Sequence, residues 1–169
     1  LIRASDLQQE QKSDRLNIDT EKIAKQAAQL AYGLDVKENC QLVLRAFDNY
    51  STTAGEKIDK DLQYFYATVL DNCGRDFQSK ELLKKIADGP KGYWRDNARL
   101  DLIRHVARQE PLSIEQRHLL YGQINNLITD CSQPNSRSFL LRPKAVGLYC
   151  QLLLESQGQA SPEKVLDIL

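Results

Sequence analysis

Glu115 and His118 stand three residues apart in SIEQRHLL, the spacing that brings a carboxylate and an imidazole onto one helix face in helical di-metal carboxylate sites. Such a centre needs a second pair and further glutamates on facing helices, and the sequence offers neither. His105, the one other histidine, falls in a different segment. His118 is therefore expected as a partly exposed side chain beside Leu119 and Leu120, with no metal or other cofactor. Nucleophilic chemistry is equally short of parts: there is no GxSxG, no glycine-rich phosphate loop and no cysteine near a histidine. Cys40, Cys73, Cys131 and Cys150 lie far apart, and three of them sit within apolar helical patterns. They are expected as reduced thiols packing like small hydrophobes, which leans toward a cytoplasmic setting. An enzyme is not the expected reading.

Arginine is more informative in GYWRDNARLDLIRHVARQ. At about 100° per residue, Arg95 and Arg99 fall about 40° apart within the apolar arc of Leu102, Ile103 and Val106. Arg104 and Arg108 lie opposite that arc and read as solvated. Two accounts of Arg95 and Arg99 stand. In one, the helix starts later or the pair meets carboxylates of a neighbouring helix. In the other, they line a binding surface with Tyr93 and Trp94, where the planar guanidinium fork suits acidic side chains or the terminal carboxylate of an extended peptide. Of Tyr64, Phe65 and Tyr66, Phe65 shares a face with Leu62 and Val69 and is assigned to packing, which leaves Tyr64 or Tyr66 for a partner. The candidate partner-binding set is Tyr66, Trp94, Arg95 and Arg99. Lys80, Lys84 and Lys85 read as a solvated helix face, with Glu81 and Lys85 as a helical ion pair. With Lys91 they offer contacts to RNA phosphates, but no aromatics are interleaved with them, so nucleic acid is not the expected partner.

The elements that must position these residues are helices. Alternating strand patterns are nearly absent, while helical apolar spacing recurs from residue 19 onward. Asp19 caps a helix carrying Ile23, Ala27, Leu30, Ala31 and Leu34. Asp35, with Glu38 three residues on, opens a second helix that the STT tract at 51–53 and Gly55 end. A hairpin from Asp59 turns at Gly74, restarts at Asp76 and stops at Gly89-Pro90. A third runs from Tyr93 to Gln109, breaks at Pro111, and resumes at Ser113 with Gln116 in the capping-box position. Residues 131–139 read as a loop. A fourth hairpin starts at Pro143, turns at Gly158 and stops inside its second helix at Leu169. Residues 1–18 are a polar extension or frayed helix.

At 169 residues and 41% hydrophobic the chain can bury a core, and its 23 basic and 23 acidic residues create no global field toward nucleic acid or an anionic membrane. Its longest apolar runs are far short of the roughly 20 residues that span a bilayer.

YATVLDNCGRDFQSKELLKKIADGP at 66–90 returns as LYCQLLLESQGQASPEKVLDIL, aligning Gly74 with Gly158 and Leu70 with Leu154. The offset fits two repeats of about 42 residues. Ala67, Leu70, Gly74, Arg75, Leu82 and Pro90 carry a pattern that resembles the tetratricopeptide (TPR-like) helical repeat. Ser79 or Ser161 stands where that family has alanine, and Pro111 where it has the turn glycine. The resemblance implies, over residues 19–169, a right-handed α-solenoid of about four antiparallel helix pairs with a concave groove. It implies a non-enzymatic scaffold binding a protein or peptide, the alternatives being a helical accessory domain of an enzyme or an RNA-binding repeat. The chain has no methionine, and is expected to be a section of a longer protein. Its final hairpin, around Leu166 and Leu169, is then expected to expose an apolar face and to self-associate.

Overall fold

The computed structural model describes residues 20–108 and 112–157. Every regular element among them is helical, and none is a strand; the all-α class is as expected. The helices are α1 (20–32), α2 (Cys40–Ala54), α3 (Lys60–Asn72), α4 (Asp76–Ala87), α5 (Tyr93–Ala107), α6 (Ile114–Asp130) and α7 (Arg142–Gln157), with short 3-10 turns at Gly55–Lys57 and Arg137–Leu141. None of these helices is long and apolar enough to cross a membrane. The chain divides between Leu82 and Leu83 into two compact units.

The first unit is built on Val43, Leu44, Phe47 and Tyr50 of α2 against Leu62, Val69 and Leu70 of α3, with Ala28 and Ala31 of α1 completing the core. Burying side chains of this size is worth about 1.5–3 kcal/mol each. Tyr32 at the end of α1 stacks on Phe65 at 4.4 Å and meets Phe47 edge-on at 6.5 Å. Asp59, at the N-cap of α3, makes no side-chain cap bond. Its carboxylate instead accepts from the buried Tyr50 hydroxyl at 3.0 Å and pairs with Lys25 of α1 at 2.6 Å, so one carboxylate ties three helices together.

Several helix ends follow from local chemistry. After α3, Gly74 adopts a φ of +71°, its N–H bonds to Asp71 O at 3.0 Å, and the Arg75 N–H bonds to Leu70 O at 2.8 Å. This pair of bonds closes the last turn and needs a residue free to enter the left-handed region. In the first turn of α4, Ser79 is fully buried and its hydroxyl donates to Ala67 O at 2.8 Å. Ser79 is thus small enough for α4 to approach α3, and its hydroxyl is satisfied. Ser113 and Gln116 form the expected capping box at the start of α6, through Gln116 N–H to Ser113 Oγ at 3.2 Å and Ser113 N–H to Gln116 Oε1 at 2.8 Å.

Other ends differ from the sequence reading. The second helix does not start at Asp35: Lys37 N–H bonds the Asp35 carboxylate, and both the backbone N–H and side-chain amide of Asn39 bond Asp35 O, all at 3.0 Å. These bonds make a separate turn, and α2 begins only at Cys40. The STT tract does not end it. Thr52 and Thr53 stay helical by donating their hydroxyls to Asp48 O and Asn49 O, and the helix stops at Gly55, whose φ is +56°. In α1 the buried face is Ala28 and Ala31, flanked by Ala24 and Tyr32, while Ile23 and Leu30 lie exposed, as does Leu34 just beyond the helix. Alanines let α1 approach its neighbours closely, and that face goes inward.

The cysteines also depart from expectation. Cys40 and Cys73 are joined in a disulfide across 33 residues, their Cα atoms 5.6 Å apart; Cys131 and Cys150 are free. The bond places the first residue of α2 beside the residue that ends α3, so the two helices run antiparallel. Four reduced thiols were the ground for leaning toward the cytoplasm, and that ground is gone.

The second unit packs Leu100 and Ile103 of α5, Leu120, Ile124 and Leu127 of α6, and Leu141, Ala145 and Leu152 around α7 into one core, which includes the Cys131 thiol. Burial pushes that thiol up to about 11, assisted by the nearby Asp96 and Asp130 carboxylates. Tyr121 of α6 donates its hydroxyl to Leu152 O at 3.1 Å and meets Tyr149 edge-on. The fourth hairpin's second helix, the turn at Gly158, the polar extension at 1–18, the Asp19 cap and the break at Pro111 lie outside the described residues.

Candidate functional site

The charged residues of the sequence reading converge on the first two turns of α5. Asp96 is buried, its side chain 5% exposed, and an isolated carboxylate there would be costly. Arg95 answers it with Nε at 3.0 Å and Nη2 at 2.9 Å, both on Oδ1, and Ser138 Oγ donates to Oδ2 at 2.8 Å. Arg99, one turn on, sits 3.6 Å from Asp96 Oδ1 and reaches Asp130 Oδ2 at 2.5 Å, which Arg95 Nη2 also approaches at 3.4 Å. Two guanidinium groups and two carboxylates thus close a neutral cluster. Asp130 ends α6, so the cluster fastens the start of α5 to the end of α6 and fixes those helices antiparallel. The Arg99 hydrogen bond holds the Asp130 carboxyl below its ordinary range, against an opposing effect of burial.

Of the two accounts of Arg95 and Arg99, the pairing with carboxylates is the one realised in the geometry, with a local partner in Asp96 as well as one on the neighbouring helix. The helix does begin at Tyr93. Its buried face runs through Asp96, Leu100 and Ile103, whereas Val106 of the anticipated apolar arc is exposed. Arg104 pairs with Asp101 at 3.0 Å and is not simply solvated.

Trp94 is half-buried and lies edge-on to Tyr93, their ring centroids 4.8 Å apart at 75°. Over both rings stands a residue the sequence reading missed: the Arg137 guanidinium carbon is 4.5 Å from the Tyr93 centroid and 5.3 Å from that of Trp94. Arg137 is exposed, at the start of the 3-10 turn whose Ser138 holds Asp96. Tyr66 belongs to the first unit. There its ring stacks on Phe47 at 5.4 Å and its hydroxyl donates to Asp48; burial, with that bond, drives its ionisation well above the ordinary tyrosine range. Trp94, Arg95 and Arg99 are therefore brought together on one helix end, and Tyr66 is engaged elsewhere.

Glu115 and His118 share α6 and are both exposed; Glu115 accepts from Ser113 Oγ at 2.8 Å, and its own backbone N–H, then that bond and His118, lower its pKa. Among the described residues no group of three or more His, Cys, Asp or Glu is placed to hold a metal ion. Asp130 carried one usable signal: in an antiparallel hairpin the last turn of α6 must face the first turn of α5, so an acid ending one helix answers arginines starting the other; Ser138 carried none. Compared with known proteins, the chain matches no family model, no curated protein and no solved structure.

Proposed function

We propose that the chain is a non-enzymatic protein-binding module, a TPR-like stack of helical hairpins that holds a partner against exposed helix surface. The observation that carries the reading is the outer face of α1. Ile23, Ala27 and Leu30 recur at spacings of four and three along one helix face and all are exposed, Leu30 by 78% and Ile23 by 66%, with exposed Leu34 following just past the helix end. A row of apolar side chains left in water along two turns and the helix end is unusual on a face with no task, and an amphipathic helix of a partner is the surface that fits it. The antiparallel α2–α3 and α5–α6 pairs, each joined by a short link, support the repeat architecture. Of the anticipated partner-binding set, Trp94 is half-buried beside Tyr93 and Arg137, while Tyr66, Arg95 and Arg99 commit their polar groups to Asp48, Asp96 and Asp130.

The test is capture of partners from the native source by the chain and by a Leu30→Asp, Leu34→Asp variant, with cross-linking to locate the contact. A partner that cross-links to α1 and is lost in the variant, while helicity by circular dichroism is kept, supports the reading. Equal capture by both forms removes α1 as the surface, and catalytic turnover by the chain alone overturns the module. The expected self-association through Leu166 and Leu169 concerns residues outside those described.

A further inference from the structure

We infer that Arg137, laid over Tyr93 and Trp94, is a receptor for a side-chain carboxylate of an acidic peptide segment. This goes beyond the α1 face: it lies in the other unit and uses different chemistry, so either can fail alone. Three other arginines of this unit have found acids, Arg95 with Asp96, Arg99 with Asp130 and Arg104 with Asp101. Arg137 pairs with no carboxylate among the described residues; ring faces alone meet its charge. A cation held by aromatic faces keeps its N–H donors, and the planar fork of a guanidinium matches the two oxygens of a carboxylate.

The position is also held in advance. Ser136 Oγ accepts the Ser138 N–H at 3.2 Å, and Ser138 in turn is anchored on buried Asp96, so the turn bearing Arg137 is fixed to α5 before any ligand arrives. Less ordering then remains to be done on binding. One guanidinium held over two rings, with the partly exposed Asp130 in the same unit and no net charge on the chain, fits one carboxylate flanked by apolar side chains better than a run of phosphates. The corner between the Tyr93 and Trp94 rings supplies the apolar contact.

Trp94 is the only tryptophan, so its emission reports on this corner directly. The experiment titrates the chain at 0.15 M ionic strength with a capped tetrapeptide containing two glutamates and a leucine, with its glutamine counterpart, and with inorganic phosphate. The expected result is a saturable change in Trp94 emission with the glutamate peptide alone, weakened about ten-fold or more in Arg137→Ala. Arg137→Lys, which keeps the charge and loses the fork, should weaken it several-fold. Circular dichroism and melting of each variant should match the parent, since Arg137 is exposed. Absence of a saturable change, undiminished binding in Arg137→Ala, or an equal Arg137-dependent response to phosphate or to the glutamine peptide would each overturn the assignment.

Discussion

The thiol sulfur of Cys40 is bonded to that of Cys73, which pins the first residue of α2 to the residue that ends α3. Closing a loop of 33 residues in the unfolded chain is worth about 3–4 kcal/mol in the chain-entropy account. Urea denaturation with and without reductant should therefore show the transition of the first unit at a lower midpoint when reduced, and a Cys40→Ser, Cys73→Ser variant should behave like the reduced parent in both. Under oxidising conditions an alkylating reagent should label Cys150 readily and the buried Cys131 slowly, with the other two protected. Rapid labelling of all four would contradict the bond.

Removing the Asp96 carboxylate leaves Arg95 largely buried beside a neutral group. Asp96→Ala is expected to cost about 3–5 kcal/mol, as for breaking a buried pair from one side, whereas Asp130→Asn, acting on a partly exposed carboxylate, should cost under about 1 kcal/mol. Because Arg99 lowers the folded-state pKa of Asp130, its contribution is fully present above the ordinary aspartate value of about 3.9 and is lost as pH falls through the lower folded value. Chemical denaturation followed from pH 6 to pH 2.5 should show a loss of stability in acid that Asp130→Asn reduces. The same slope in both forms would remove this linkage.

Tyr66 should be among the last of the seven tyrosines to ionise. In an alkaline ultraviolet titration most phenols should ionise near pH 10, with a lagging fraction that diminishes in Tyr66→Phe. The protonated phenol is the form favoured on folding, so the stability it contributes is present below the ordinary tyrosine value and lost as pH rises above it. If Tyr66→Phe leaves the titration curve unchanged apart from amplitude across the whole range, the hydroxyl is not held as described.

Particular residues explain what the sequence made legible. Ser113 with Gln116, and Gly74 at the end of α3, announce helix boundaries by bonds that span three to five residues, so short-range chemistry alone places them. The apolar set read for α1 was Ile23, Ala27, Leu30, Ala31 and Leu34, yet of these only Ala31 went inside, together with Ala28. What decided that was how near another helix can come, a property of the neighbour and not of the segment. Cys40 and Cys73 carry no spacing that tells a bridge from two thiols. Arg95 and Arg99 were recognisable as anomalous charges on a buried flank, but Asp130 joins them from 31 residues away and Ser138 reaches Asp96 from 42. Such partners emerge only once α5 and α6 are set antiparallel.

Mechanical load gives the Cys40–Cys73 bond a different meaning. A chain drawn out by its ends lengthens by roughly 3.3–3.6 Å per residue released, but the stretch between the two cysteines is shunted by the covalent link. With 33 residues held back, roughly 110–120 Å of contour stays hidden however far α1 and the second unit are extended. A reducing agent would release that slack in one step.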